Sequence, residues 1–141
     1  MPSGKNWHGE GFAMAHARVK RRALVVDDQP PVATVIEGLL RRVGFDVAVA
    51  ANGADAIVLA RRHEFDVVTL DIDLPDMEGF DVCARLKEDF RFGCTPVIFV
   101  SGRLTAADRR RGAEVGGADF ISKPFDAFTF VSRVLSHIKS K

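Results

Sequence analysis

From Ala23 onward, short apolar runs alternate with apolar positions at helical spacing. Ala23-Leu24-Val25-Val26 is a compact run that ends in acid, the pattern of a strand buried on both faces of a parallel sheet. Val32, Val35, Ile36, Leu39, Leu40 and Val43 then outline an amphipathic helix, opened by Pro30-Pro31 and stopped at Gly44. Phe45 to Ala50 reads as a second strand. Asn52 offers a cap to a second helix reaching His63, and Asp55 suits the positive end of its dipole. Val67-Val68-Thr69-Leu70 is a third strand, again running into an Asp, and Phe80, Cys83 and Leu86 outline a third helix. Pro96 introduces a fourth strand, Val97 to Val100, ending at Ser101. Thr105 with Asp108 predicts a capping box for a fourth helix that ends at Gly116-Gly117. Ala118 to Ser122 makes a fifth strand, and Phe128, Val131, Leu135 and Ile138 line a fifth helix.

Strands that alternate with helices across short connections predict an α/β fold. The count points to a doubly wound, five-stranded parallel sheet of order 2-1-3-4-5, flavodoxin-like, with five helices covering its two faces. It is too few units for an eight-fold barrel.

Charge changes this picture only at the N-terminus. Lys+Arg 20 nearly balances Asp+Glu 19, so nothing draws the whole chain to nucleic acid or to a membrane. The first 22 residues, however, set Lys5, Arg18, Lys20, Arg21 and Arg22 against Glu10 alone, with no apolar period. Residues 1–21 are therefore expected to form a flexible arm, and 22–141 the folded domain. No apolar run approaches the roughly 20 residues that span a bilayer, so membrane insertion is not expected. Cys83 and Cys94 make neither a disulfide framework nor a zinc cluster, and a cytoplasmic location is expected. Nothing beyond the fifth helix could hold a helix-turn-helix, so direct binding of nucleic acid is disfavoured.

The candidate chemistry collects at the strand ends. In such a sheet, ligands bind beyond the carboxyl ends of the strands, where strand order reverses. The first strand ends in Asp27-Asp28, the third in Asp71 and the fourth in Ser101, and Lys123-Pro124 follows the fifth. Each residue alone is an ordinary cap or turn residue. Together they place three carboxylates, a hydroxyl and an ammonium on one rim. Clustered carboxylates repel unless a cation neutralises them, and an all-oxygen set suits Mg²⁺. A metal beside a carboxylate nucleophile, with a hydroxyl and an ammonium for an anion, suits phosphoryl transfer onto Asp.

The segments LVVDDQPPV, FDVVTLDIDLPDMEGFDVCARLK, TPVIFVSG and GADFISKPF, in this order and spacing, resemble the receiver domain of bacterial two-component response regulators. The resemblance covers about residues 23–139 and implies a phosphorylation-dependent switch. A sensor histidine kinase or a phosphotransfer protein would pass a phosphoryl group to Asp71. Asp28 would contact Mg²⁺ directly and Asp27 mainly through water, with Asp73 supplying a backbone carbonyl. Ser101 would be the switch hydroxyl, Lys123 the partner of the phosphoryl group and Phe120 a possible aromatic switch. The Lys123-Pro124 bond is expected to be cis. Such a domain catalyses only its own phosphorylation and dephosphorylation. It would alter the surface of the fourth helix, fifth strand and fifth helix to control a downstream protein or a homodimer.

Asp73 and Arg103, each two residues beyond a site residue, are candidates to pair across the mouth. Arg109-Arg110-Arg111 is a basic run on the predicted fourth helix, where a partner would meet it. Two alternatives stand beside this reading. Leu70-Asp71-Ile72-Asp73 also resembles the nucleophile motif of haloacid dehalogenase-type phosphatases, with Asp71 as nucleophile and Asp73 as general acid. Against it, Pro75 follows and the other acids precede the motif. The other alternative is a receiver-like interaction module that is never phosphorylated.

Overall fold

A computed structural model describes residues 20–138. The predicted arm lies outside them except for Lys20 and Arg21. The sheet is built from β1 (Arg21–Val26), β2 (Phe45–Ala50), β3 (Val67–Leu70), β4 (Val97–Ser101) and β5 (Asp119–Ser122). The helices are α1 (Pro30–Arg42), α2 (Gly53–Arg62), α3 (Gly79–Lys87), α4 (Ala106–Glu114) and α5 (Ala127–Ser136), with a 3-10 turn at Phe90–Phe92. All strand pairs are parallel and the order is β2-β1-β3-β4-β5, as expected. β1 opens at Arg21, two residues before its apolar run and inside the predicted arm, because Arg21 and Arg22 pair with Phe45 and Asp46.

The two-residue period of a strand sorts side chains onto two cores. Leu24, Val26, Val68, Leu70, Val97 and Phe99 face α2 and α3, meeting Ala56, Phe80 and Leu86. Ala23, Val25, Val67, Ile98, Val100 and Ile121 face α1 and α5, meeting Ile36, Leu40, Phe130 and Val134. The central stretch of the sheet is thus apolar on both faces.

The caps form where the sequence places them. The Asn52 side chain accepts from the Asp55 N–H, and Thr105 and Asp108 exchange the reciprocal bonds of a capping box. Gly44 stops α1 with a φ of 100°, a conformation that other residues rarely adopt. α4 ends at Glu114, a little short of its predicted stop, and Gly116 follows with a φ of 103°.

Two helical faces differ from expectation. On α5 the buried residues are Phe130 and Val134, whereas Phe128 is 82% exposed and Leu135 faces outward. Apolar residues cover more than one stripe of that helix. Stacking of Phe125 on Phe130, at 5.0 Å between ring centres, accompanies the face turned inward. On α1, Val35 is exposed, as is Val43 just past its end, while Ala33, Ile36 and Leu40 are its buried residues.

At the start of β5, Asp119 gathers the end of α5. Arg133 donates to both its carboxylate oxygens at 3.0 and 2.7 Å, and His137 Nε2 lies 3.0 Å from Oδ2. Burial alone would raise the Asp119 carboxyl, but Arg133, His137 and the Phe120 N–H pull it down to about 2. A carboxylate lowered in the folded state adds stability above the unfolded value, near 4. That stability is lost as pH falls from about 4 through about 2. Asp119→Asn should therefore cost about 1–2 kcal/mol at neutral pH. Urea midpoints measured from pH 7 to pH 2 should converge for the two proteins at the acid end. Parallel curves would show that the Asp119 charge contributes nothing.

Candidate functional site

Hydrogen bonding continues one residue past the strands and thereby builds the site. The Asp27 N–H donates to the Ala50 carbonyl, the Asp71 N–H to Val26 and the Lys123 N–H to Ser101, at 3.0, 3.0 and 2.9 Å. Asp27, Asp71 and Lys123 are consequently held at the same edge. A cavity of about 930 Å³ opens there, lined in part by Asp28, Asp71, Ser101, Arg103 and Lys123.

The loop after β3 is pinned from several sides. The Gly79 N–H donates to the Ile72 carbonyl at 2.7 Å, and a Cβ at Gly79 would overlap the Asp71 carbonyl. Only glycine allows α3 to start this close to Asp71. Asp76 accepts from the Gly53 and Ala54 N–H groups at 2.8 and 2.9 Å, tying the loop to the N-terminus of α2.

Lys123 Nζ sits among the acids. It donates to Asp71 Oδ2 at 2.9 Å and to Gln29 Oε1 at 3.1 Å, and lies 2.8 Å from Asp27 Oδ2. Burial would lower the lysine, but Asp27 and Asp71 outweigh it and hold the ammonium above its ordinary range. Burial raises the Asp27 carboxyl, and the Asp71 charge adds to this against the opposing pull of Lys123 and the Gln29 N–H. Asp27 and Asp71 are buried, at 3% and 5% exposure, while Asp28 is open to solvent.

These acids suit a hard divalent cation. Carboxylate oxygens of Asp27, Asp28 and Asp71 lie within 4.8 Å of one another. Buried Asp27 Oδ2, although next to Lys123, makes no directed hydrogen bond and keeps ligating capacity. Three carboxylates against one ammonium leave an excess of negative charge, as an all-oxygen Mg²⁺ site requires.

Ser101 is 1% exposed, and its hydroxyl accepts from the Arg103 N–H at 3.1 Å. The Arg103 guanidinium crosses the mouth to Asp73 Oδ1 at 2.9 Å and reaches Glu78 at 3.3 Å and Asp108 at 3.1 Å. The pairing of Asp73 with Arg103 is thus formed, with two further acids in it. Asp73 is turned to this guanidinium, which disfavours it as the general acid of a phosphatase. Phe120 is half-buried, stacked on Phe99 with ring centres 5.8 Å apart and with the Arg109 guanidinium over its ring at 5.7 Å. Arg109, Arg110 and Arg111 are exposed on α4, and Arg111 pairs with Glu78 at 2.8 Å. The Lys123-Pro124 bond is cis.

Gln29, Glu78 and Asp108 are additional members of the site that sequence reasoning missed. Gln29 directly follows the acidic pair, and that adjacency was its only signal. Asp108 reads as a capping acid, and the role it shares with Glu78 depends on where Arg103 reaches.

The family model of the response regulator receiver domain matches residues 23–135. Among solved structures, the non-phosphorylated HemR receiver domain of Leptospira biflexa is 32% identical, with a TM-score of 0.79 over 86% of this chain and 97% of that one. A beryllofluoride-activated DrrB receiver domain is 28% identical, with a TM-score of 0.76 over 84% of this chain and 97% of that one. Chemotaxis protein CheY4 of Vibrio cholerae is 24% identical, with a TM-score of 0.82 over 85% of this chain and all of that one, a likeness of fold. With the family model spanning most of its length and the acidic edge at the reversal of strand order, the chain belongs to the receiver domains of two-component response regulators.

Proposed function

We propose that this chain is a Mg²⁺-dependent switch phosphorylated on Asp71 by a sensor histidine kinase or a phosphotransfer protein. The observation that carries the reading is the Asp71 carboxylate, held 2.9 Å from Lys123 and grouped with Asp27 and Asp28. Asp28 and Asp71 would hold the metal directly, Asp27 mainly through water and Asp73 by its backbone carbonyl. Bound Mg²⁺ supplies positive charge to the phosphoryl oxygens and to the crowded acids. An Asp71 oxygen forms the new O–P bond as the P–N bond of the donor phosphohistidine breaks, leaving the electron pair on the imidazole. Lys123 balances charge on the transferred group and Ser101 donates to it. In hydrolysis, a water oxygen bonds to phosphorus while the P–O bond to Asp71 breaks, which regenerates the carboxylate and releases phosphate.

The change at Ser101 and Lys123 biases two states of the α4–β5–α5 surface, with Phe120 as the moving aromatic. A bias of a few kcal/mol is enough to redirect such an equilibrium. The output is contact with a downstream protein or a homodimer, in the cytoplasm and without direct contact to nucleic acid. Among the described residues, no helix is long and apolar enough to cross a membrane.

With acetyl phosphate and Mg²⁺, the protein should take up one phosphoryl group, and Asp71→Asn should take up none while its circular dichroism is unchanged. Equal labelling of the two proteins would exclude Asp71 as the acceptor.

Mg²⁺ alone should raise the melting temperature, by about 5 °C at ten times its Kd, since it binds only the folded chain. Asp28→Ala should lose most of that rise. A rise of equal size in the variant would remove Asp28 from the metal site.

Decay of the phosphorylated protein depends on access of water in line with phosphorus. Arg103→Ala should change the phosphoryl lifetime several-fold while also loosening α4 through loss of the Asp108 contact. Asp73→Asn should have little effect on folding, because Asp73 is exposed. Combined with Asp73→Asn, the effects on the logarithm of the decay rate should be non-additive. Additive effects would mean that the two side chains act separately.

A further inference from the structure

The residue that caps α1 does not use its side chain as a cap. Asn52, Thr105 and Asp126 each accept a backbone N–H from the first turn of their own helix. Gln29 occupies the same position at α1 and makes no such bond. Pro30 and Pro31 fill the first two helical positions and have no N–H to offer. The Gln29 amide oxygen accepts instead from Lys123 Nζ at 3.1 Å. Its backbone N–H donates to Asp27 Oδ1 at 2.9 Å, so one residue grips both the lysine and its acidic neighbour.

Lys123 donates to Asp71 and Gln29 and stands in ion-pair contact with Asp27. A phosphoryl group added to Asp71 brings new anionic oxygens, which compete with these contacts for the lysine. Bonds to charged acceptors are roughly twice as strong as bonds to neutral ones. Gln29 is the neutral acceptor, it is exposed, and its contact is the longest of the three. It is therefore the partner released at least cost.

We propose that Gln29 is a positioning residue for phosphoryl transfer, whose amide oxygen holds the Lys123 N–H that the phosphoryl group then takes over. The proposal rests on Asp71 as the acceptor. Gln29 acts through Lys123 and touches neither the metal nor the donor. A carboxylate at position 29 would hold the lysine too firmly, and a methyl group would leave this N–H of Lys123 unaimed.

The rate of Asp71 labelling by acetyl phosphate with Mg²⁺ tests this in wild type, Gln29→Ala and Gln29→Glu, each also combined with Lys123→Ala. Gln29→Ala should slow labelling about five-fold, the scale of one hydrogen bond, and Gln29→Glu should slow it further. Loss of the glutamine should change the rate less than two-fold once Lys123 is absent, and it should leave the Mg²⁺-induced rise in melting temperature as in wild type. Equal fold-losses in both backgrounds, or no loss in either, would overturn the role. If the Lys123→Ala proteins label too slowly to measure, NMR of ¹⁵N-lysine-labelled protein without metal or donor decides. The Lys123 Nζ protons should exchange faster with solvent in Gln29→Ala, and unchanged exchange would overturn the proposal. Failure of wild type itself to label would instead remove the acceptor reading, and this role with it.

Discussion

The arrangement depends on a lysine among like charges. Parallel strands of matched register bring Asp27 and Asp71 to the same edge, where two buried carboxylates repel. Lys123, delivered by the bond from its own N–H to the Ser101 carbonyl, stands within 2.9 Å of both. It offsets part of that repulsion and leaves enough negative charge for a divalent cation. The same contact bears on any group added to Asp71, which must share Lys123 with its existing partners.

Rigidity beneath the site and looseness beside it follow from the distribution of apolar side chains. β1, β3 and β4 are buried on both faces, so the strand ends that carry Asp27, Asp71 and Ser101 sit on the most tightly packed part of the chain. α4 buries only Asp108 and Gly112. It is held by charge and by aromatic faces, through Arg103 on Asp108 and Arg111 over the Phe80 ring at 4.5 Å. An element secured by partly exposed ion pairs moves more cheaply than one secured by a core. That contrast leaves α4 freer to shift than the strand end that carries Asp71.

Much of this was legible in the chain. Five strand runs, four of them ending at a polar residue, led to the sheet order and to Asp27, Asp28, Asp71, Ser101 and Lys123 on one rim. The caps at Asn52 and Thr105 were equally readable, because capping is decided within a few residues. The inward face of α5 was not. Its apolar residues cover more than one stripe, and periodicity alone could not choose Phe130 and Val134 over Phe128 and Leu135.

The sequence by itself therefore determined the elements, their order around the sheet and the edge on which the chemistry gathers, because these follow from local periodicity and the rules of parallel crossover. Only the tertiary structure decided which long side chains meet across that edge. Lys123 and Gln29 are 94 residues apart, and Arg103 and Asp73 are 30 apart. Such contacts depend on side-chain directions at the ends of separate elements, where a rotamer change moves a charge by several ångströms. No local pattern encodes that choice. The sheet imposes it by fixing where each side chain starts.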